Sequence, residues 1–141
     1  MAARHLPEPN DPLRTHYRTR KVAADPEEAF EFLADAANLS LWWGRAEPAG
    51  EQGAVDPHVD SDAAAHTVHI RWGSPGLWRH MVTVVEHEKG GSRVTIAFVP
   101  VPGCDGVCLD REILRAPGQL QRLARILEAR SHLIDSEGYW T

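Results

Sequence analysis

Cysteine is scarce in this chain, two residues among 141 (Cys104 and Cys108). That is too few for a disulfide framework and fits a reducing compartment. No stretch approaches the ~18 consecutive apolar residues of a membrane-spanning helix, and the mean hydropathy is -0.37. Met1–Pro7 lacks the apolar core of a signal peptide, so the cytoplasm is the expected location. Positive charge is in the minority: 15 Lys and Arg against 20 Asp and Glu give a net charge of -5. With no broad basic face, nucleic acid is not an expected partner, and neither is a membrane. Walker-type loops, dinucleotide fingerprints, nucleophile elbows, internal repeats and low-complexity tracts are all missing.

What remains is an ordinary globular composition, 43% hydrophobic and 25% charged, at the length of one domain. Pro7, Pro9 and Pro12 punctuate residues 1–15, which have no apolar period and are expected to form a flexible tail. Residues 16–141 then form a single domain. His16–Ala24 alternates as a short strand. Asp25-Pro26-Glu27-Glu28 follows, with an N-cap, a proline at the first helical position and a glutamate at the capping-box position. Ala29, Phe32, Leu33 and Ala36 continue at helical spacing. Asn38 is expected to cap a second short helix through Leu39, Leu41, Trp42 and Trp43, ended by Gly44.

Residues 45–65 offer two weak strands, Arg45–Ala49 and Ala54–Val59. Three stronger ones, His66–Trp72, Trp78–Glu88 and Ser92–Pro100, are separated by turn formers and read as consecutive antiparallel hairpins. From Pro117 to about Ile134, Leu120, Leu123, Ala124, Leu127 and Ile134 share one stripe of a helix. Pro117 starts this helix or kinks a longer one beginning near Asp110. An apolar sheet face and an apolar helix stripe each need burial, which gives an α+β fold: a curved antiparallel sheet wrapped around a long C-terminal helix.

The order of these elements, with Asp25-Pro26-Glu27-Glu28-Ala29-Phe30, Leu41-Trp42-Trp43-Gly44, Gly90–Ile96 and the closing Leu/Arg-rich helix, resembles the START-like (SRPBCC) superfamily. Within it the polyketide-cyclase and heat-shock-ATPase-activator-homologue branch is the most similar. The resemblance implies a helix-grip fold with a cavity between sheet and C-terminal helix that holds apolar or aromatic small molecules. The short region between Trp43 and His66 departs from that pattern and implies one or two reduced strands.

Alternation places Val68, Ile70 and Trp72, Val82 and Val84, and Val94, Ile96 and Phe98 on the face turned to the helix. Parity adds His66, Trp78, His80 and Glu86. Pairing Trp72 with Trp78 sets Ile70 opposite His80 and Val68 opposite Val82. In that register His80 sits mid-sheet among apolar neighbours, where burial favours its neutral form. It is then either a general acid/base or a histidine that merely packs. The expected ligand site comprises Trp43, His66, Ile70, Trp72, Trp78 and His80, together with Val82, Phe98, Leu123 and Leu127; His80 is its candidate catalytic residue. Trp42 and Trp43, at the end of the helical pair, complete an aromatic box for a planar ligand.

His66 and His69 are three apart on a strand and diverge, so they are rejected as a chelating pair. Cys104 and Cys108 read as free thiols or an incidental crosslink; no metal site and no cofactor are expected. The arginines of the closing helix read as a solvated face. Three functions are in play: binding of an apolar or aromatic small molecule, as in secondary metabolism; a cofactor-free polyketide cyclase or dehydratase using His80; and a protein-interaction module like chaperone-activating relatives. Monomer and homodimer are both compatible with the sequence.

Overall fold

The computed structural model describes residues 16–43, 55–73, 78–100 and 106–140, with side chains at 16–43, 57–73, 78–100 and 109–130. The expected tail 1–15, the strand over Arg45–Ala49, Gly44, and the loop carrying Cys104 lie outside the described residues, as does the Cys108 side chain.

The chain runs β1 (Tyr17–Val22), α1 (Pro26–Ala34), a 3-10 turn (Ala36–Asn38), α2 (Leu39–Trp42), β2 (Val55–Asp62), β3 (Thr67–Gly73), β4 (Arg79–Glu88), β5 (Gly91–Val99) and α3 (Gly106–Trp140). The strands form one antiparallel sheet in the order β1-β5-β4-β3-β2. The long helix α3 packs chiefly on β1 and β5, while α1 covers β3 and β4 on the same side. This is the expected α+β architecture, with a long C-terminal helix on a curved sheet and short helices after the first strand.

The start of α1 follows from local chemistry. The Asp25 carboxylate accepts the Glu27 amide at 3.0 Å, and Pro26 fills the first turn, where its missing N–H costs nothing. Asp35 repeats the device for the 3-10 turn, accepting from the Ala37 amide at 3.0 Å. Asn38 does not cap α2 as expected. Its Nδ2 instead donates back to the Phe32 carbonyl (3.1 Å), satisfying the end of α1.

Pro117 lies inside α3, which begins 11 residues earlier, at Gly106. The apolar stripe Leu120, Leu123, Ala124 and Leu127 continues back through Ala116, Ile113 and Leu109, all buried. Burying Ile113 and Leu109 is worth about 1.5–3 kcal/mol each, enough to offset the ~3 kcal/mol of an interior proline.

The register of the β3–β4 hairpin differs by one residue from expectation. Trp72 pairs with Arg79, Arg71 with His80, Ile70 with Met81 and Val68 with Thr83. Because side chains alternate, a one-residue slip exchanges the faces of the whole strand. Met81, Thr83 and Val85 therefore face the core, whereas His80, Val82, Val84 and Glu86 lie on the outer face. Met81-Val82-Thr83-Val84-Val85 is tolerant of either face. The observed register places Glu86 directly opposite Arg93 and lets the buried Thr83 hydroxyl donate to the Val68 carbonyl (3.4 Å). β4 and β5 join through Lys89-Gly90, where Gly90 has φ 86°.

Candidate functional site

The inner face of the sheet is a set of cross-strand rows. Its central rows, Ile70–Met81–Phe98 and then Val68–Thr83–Ile96, are apolar apart from Thr83. Helix α3 lays Leu120, Leu123 and Leu127 into the same core. The row at the α2 end is different. Trp72 lies beside Arg79, which points inward because of the register, and Arg79 Nε stands 3.7 Å from the Glu112 carboxylate on α3. Glu112 is only 4% exposed. Trp43, at the end of α2, meets Trp72 edge to face, with ring centroids 4.9 Å apart.

Two α3 side chains hold this corner. Gln119 Nε2 donates to the Trp43 carbonyl (3.1 Å). Arg122 donates from Nε to the Trp42 carbonyl (3.1 Å) and from Nη2 to the Trp43 carbonyl (3.3 Å). These carbonyls lie at the end of α2, so α3 supplies hydrogen-bond donors to it. Arg122 is thus not part of a merely solvated face, and Arg130 likewise lies over the Phe32 ring at 4.7 Å. Trp42 Nε1 and Gln119 Oε1 are buried with no hydrogen-bond partner among the described residues, leaving one donor and one acceptor at the corner.

Of the residues expected to line a site, Trp43, Ile70, Trp72, Phe98, Leu123 and Leu127 meet in one buried cluster. Trp78 does not; it precedes β4 and is 40% exposed. Val82 is half-buried on the outer face, between His69 and Ala97. His66 sits at the rim with φ 50°, its Nε2 3.1 Å from the Glu27 carboxylate and its ring against Phe30.

His80 is on the outer face, where its Nε2 lies 2.9 Å from His69 Nδ1. The expected apolar surroundings of His80 are replaced by Arg71 directly opposite and by this second imidazole. Partial burial, then the Arg71 charge, then His69 push its pKa down to about 4. Next to the pair, Asp60 accepts from Arg71 and contacts His58 Nε2, both at 3.3 Å. Arg79 and Glu112 are the polar pair that reading by alternation missed; the signal was present only in the hairpin register.

Among the described residues no group of three or more His, Cys, Asp or Glu is arranged to hold a metal, and no helix is long and apolar enough to cross a membrane. No family model matches the chain, and no curated protein matches it in sequence. Solved structures do. Bacillus halodurans protein BH1534 is similar over 79% of this chain and 95% of its own, at 16% identity and a TM-score of 0.59. DynU16, a protein of the dynemicin biosynthetic locus, is similar over 79% of this chain at 19% identity and a TM-score of 0.58. BexL, a di-domain ARO/CYC from the BE-7585A biosynthetic pathway, is similar over 77% at 16% identity and a TM-score of 0.58. The chain spans 46% and 44% of the lengths of these last two. The likeness is one of fold.

Proposed function

We propose that the chain binds an apolar or aromatic small molecule between the sheet and α3, at the corner formed by Trp43, Trp72, Phe98, Arg79 and Glu112. The observation that carries this reading is the Arg79–Glu112 pair, the charged pair of a largely apolar face, beside two tryptophans. A buried ion pair gives little stability over a hydrophobic pair of the same volume, so its placement calls for a use. Facing a ligand, the guanidinium donates to a carbonyl or phenolate oxygen, the carboxylate accepts from a hydroxyl, and the indole rings hold the ring system. The fold shared with DynU16 and BexL supports the reading.

The test is native mass spectrometry of the protein purified from its own source, with organic extraction of any retained molecule. A stoichiometric aromatic adduct that is lost in Arg79→Met/Glu112→Leu supports the proposal. A clean apo mass, with no tryptophan quenching by a panel of planar aromatics, overturns it in favour of the protein-interaction reading.

The same corner favours a second reading, a cofactor-free cyclase or dehydratase in which Glu112 moves the proton and Arg79 holds the developing oxyanion. His80, on the opposite face, is then not the acid/base. Glu112→Gln would retain the extracted ligand and abolish its conversion, whereas His80→Gln would leave conversion unchanged.

A further inference from the structure

Between the edge strand β1 and α3 lies an open cavity of ≈ 200 Å³ lined by Arg18, Thr19, Arg20, Pro117 and Leu120. Arg18 and Arg20 are two apart on one strand, so their side chains leave the same face, in the rows of Ile96 and Val94. No acidic residue lines the cavity. Arg71, Arg79 and Arg93 each stand against a carboxylate, of Asp60, Glu112 and Glu88. Arg18 donates to the carbonyl of its neighbour Tyr17, and neither Arg18 nor Arg20 has a carboxylate partner among the described residues.

Two like charges converging on one hollow repel each other. Among the described residues, neither meets a carboxylate. The opposite wall is apolar: Leu120 is almost fully buried, and Pro117 has no N–H to offer. A hydrated inorganic ion would leave that wall unused, and a neutral apolar molecule would leave both guanidinia unpaired. A small organic carboxylate satisfies both halves, with its oxygens taken by the planar forks of the arginines and its carbon body on Pro117 and Leu120.

We propose that this cavity is a second binding site, separate from the aromatic corner, for a small carboxylate with a short apolar body. The net charge of -5 works against unspecific uptake of anions, so saturable binding requires a local positive pocket.

The experiment is a ¹H–¹⁵N NMR titration at fixed ionic strength with hexanoate, hexanol, acetate and inorganic phosphate. Saturable shifts with hexanoate, centred on the amides of Arg18–Arg20 and Leu120 and absent from the Trp43 and Trp72 indoles, are expected. Acetate, hexanol and phosphate should each bind about tenfold or more weakly. Arg18→Gln/Arg20→Gln, on an exposed edge, should stay folded and lose about tenfold or more in hexanoate affinity. Arg111→Gln, which removes a charge outside the cavity, should not. Hexanoate shifts centred on Trp72, an affinity unchanged in the double variant, or phosphate binding as well as hexanoate would each overturn the proposal. None of these results bears on whether an aromatic ligand occupies the corner at Trp43 and Trp72.

Discussion

The His69–His80 pair makes stability depend on pH in a way that can be worked through. His80 is pushed from 6.5 to about 4 in the folded state, by burial first and then by Arg71 and His69. Above pH 6.5 it is neutral in both folded and unfolded chains and contributes no pH dependence. As pH falls below 6.5 the unfolded chain takes up the proton first, so stability falls from pH 6.5 towards 4 and levels off below. The full difference corresponds to about 3 kcal/mol at ~1.4 kcal/mol per tenfold. Because the imidazole is partly open to water, screening reduces this to about 1–2 kcal/mol. At pH 5 about 1 kcal/mol should be gone, equivalent to a fall of roughly 3–4 °C in Tm for a domain of this size. Thermal melts of the parent and of His80→Gln between pH 7.5 and 4.5 isolate the effect, since every other titrating group is common to both. The glutamine stays neutral and can still bond His69. The two Tm curves should converge above pH 7 and diverge below 6, the parent losing more. Parallel curves would refute the reasoning.

A methyl group at Gly91 would lie inside contact distance of the Val22 carbonyl oxygen and 3.1 Å from Ala23 Cα, both backbone atoms. Gly91→Ala should therefore cost about 2 kcal/mol or more in urea denaturation; a loss under about 0.5 kcal/mol would mean that β1 yields freely. Arg122→Leu removes both of its bonds to the end of α2 and should cost about 1–3 kcal/mol, whereas Arg125→Leu, at an exposed position on the same helix, should change stability by less than about 0.5 kcal/mol. Glu112→Ala leaves Arg79 without its carboxylate and should cost about 2–4 kcal/mol; Arg79→Met/Glu112→Leu should return to within about 1 kcal/mol of the parent. Equal losses in the single and double variants, read from denaturation midpoints, would show that the pair is held by something other than its mutual charge.

What could be read without coordinates was what depends on neighbours in the chain. The Asp25-Pro26 cap is local chemistry and behaves as expected, and the apolar stripe of α3 is periodic enough to assign its buried face. The start of α3 was less legible, because proline weighs heavily in a local reading while Leu109 and Ile113 gain their burial only from tertiary contact. The β3–β4 register was least legible. Both faces of β4 carry apolar residues, so alternation gives no preference; the choice rests on cross-strand partners, Glu86 with Arg93 and Thr83 with the Val68 carbonyl. That single slip moves His80 and Val82 out and Arg79 in. A paired charge thereby replaces an isolated histidine as the polar feature of the inner face.

The rows of the sheet also locate the polar groups of its inner face. Across the middle, Val68, Ile70, Met81, Ile96 and Phe98 are buried against α3 and α1, and the one polar side chain of these rows, Thr83, donates to the Val68 carbonyl. At the α1 end, Glu128 of α3 accepts the Ala23 amide (3.0 Å), tying helix to sheet just past the end of β1. Only the α2 end combines a charged pair, two indole rings in contact, and a donor and an acceptor with no partner among the described residues, Trp42 Nε1 and Gln119 Oε1. Unsatisfied buried polar atoms cost about 1–3 kcal/mol each, and Ser92 Oγ on β5 is a further one among the described residues. With two such atoms beside the Arg79–Glu112 pair, the α2 end is where, on the proposed function, the polar groups of a bound molecule would find partners.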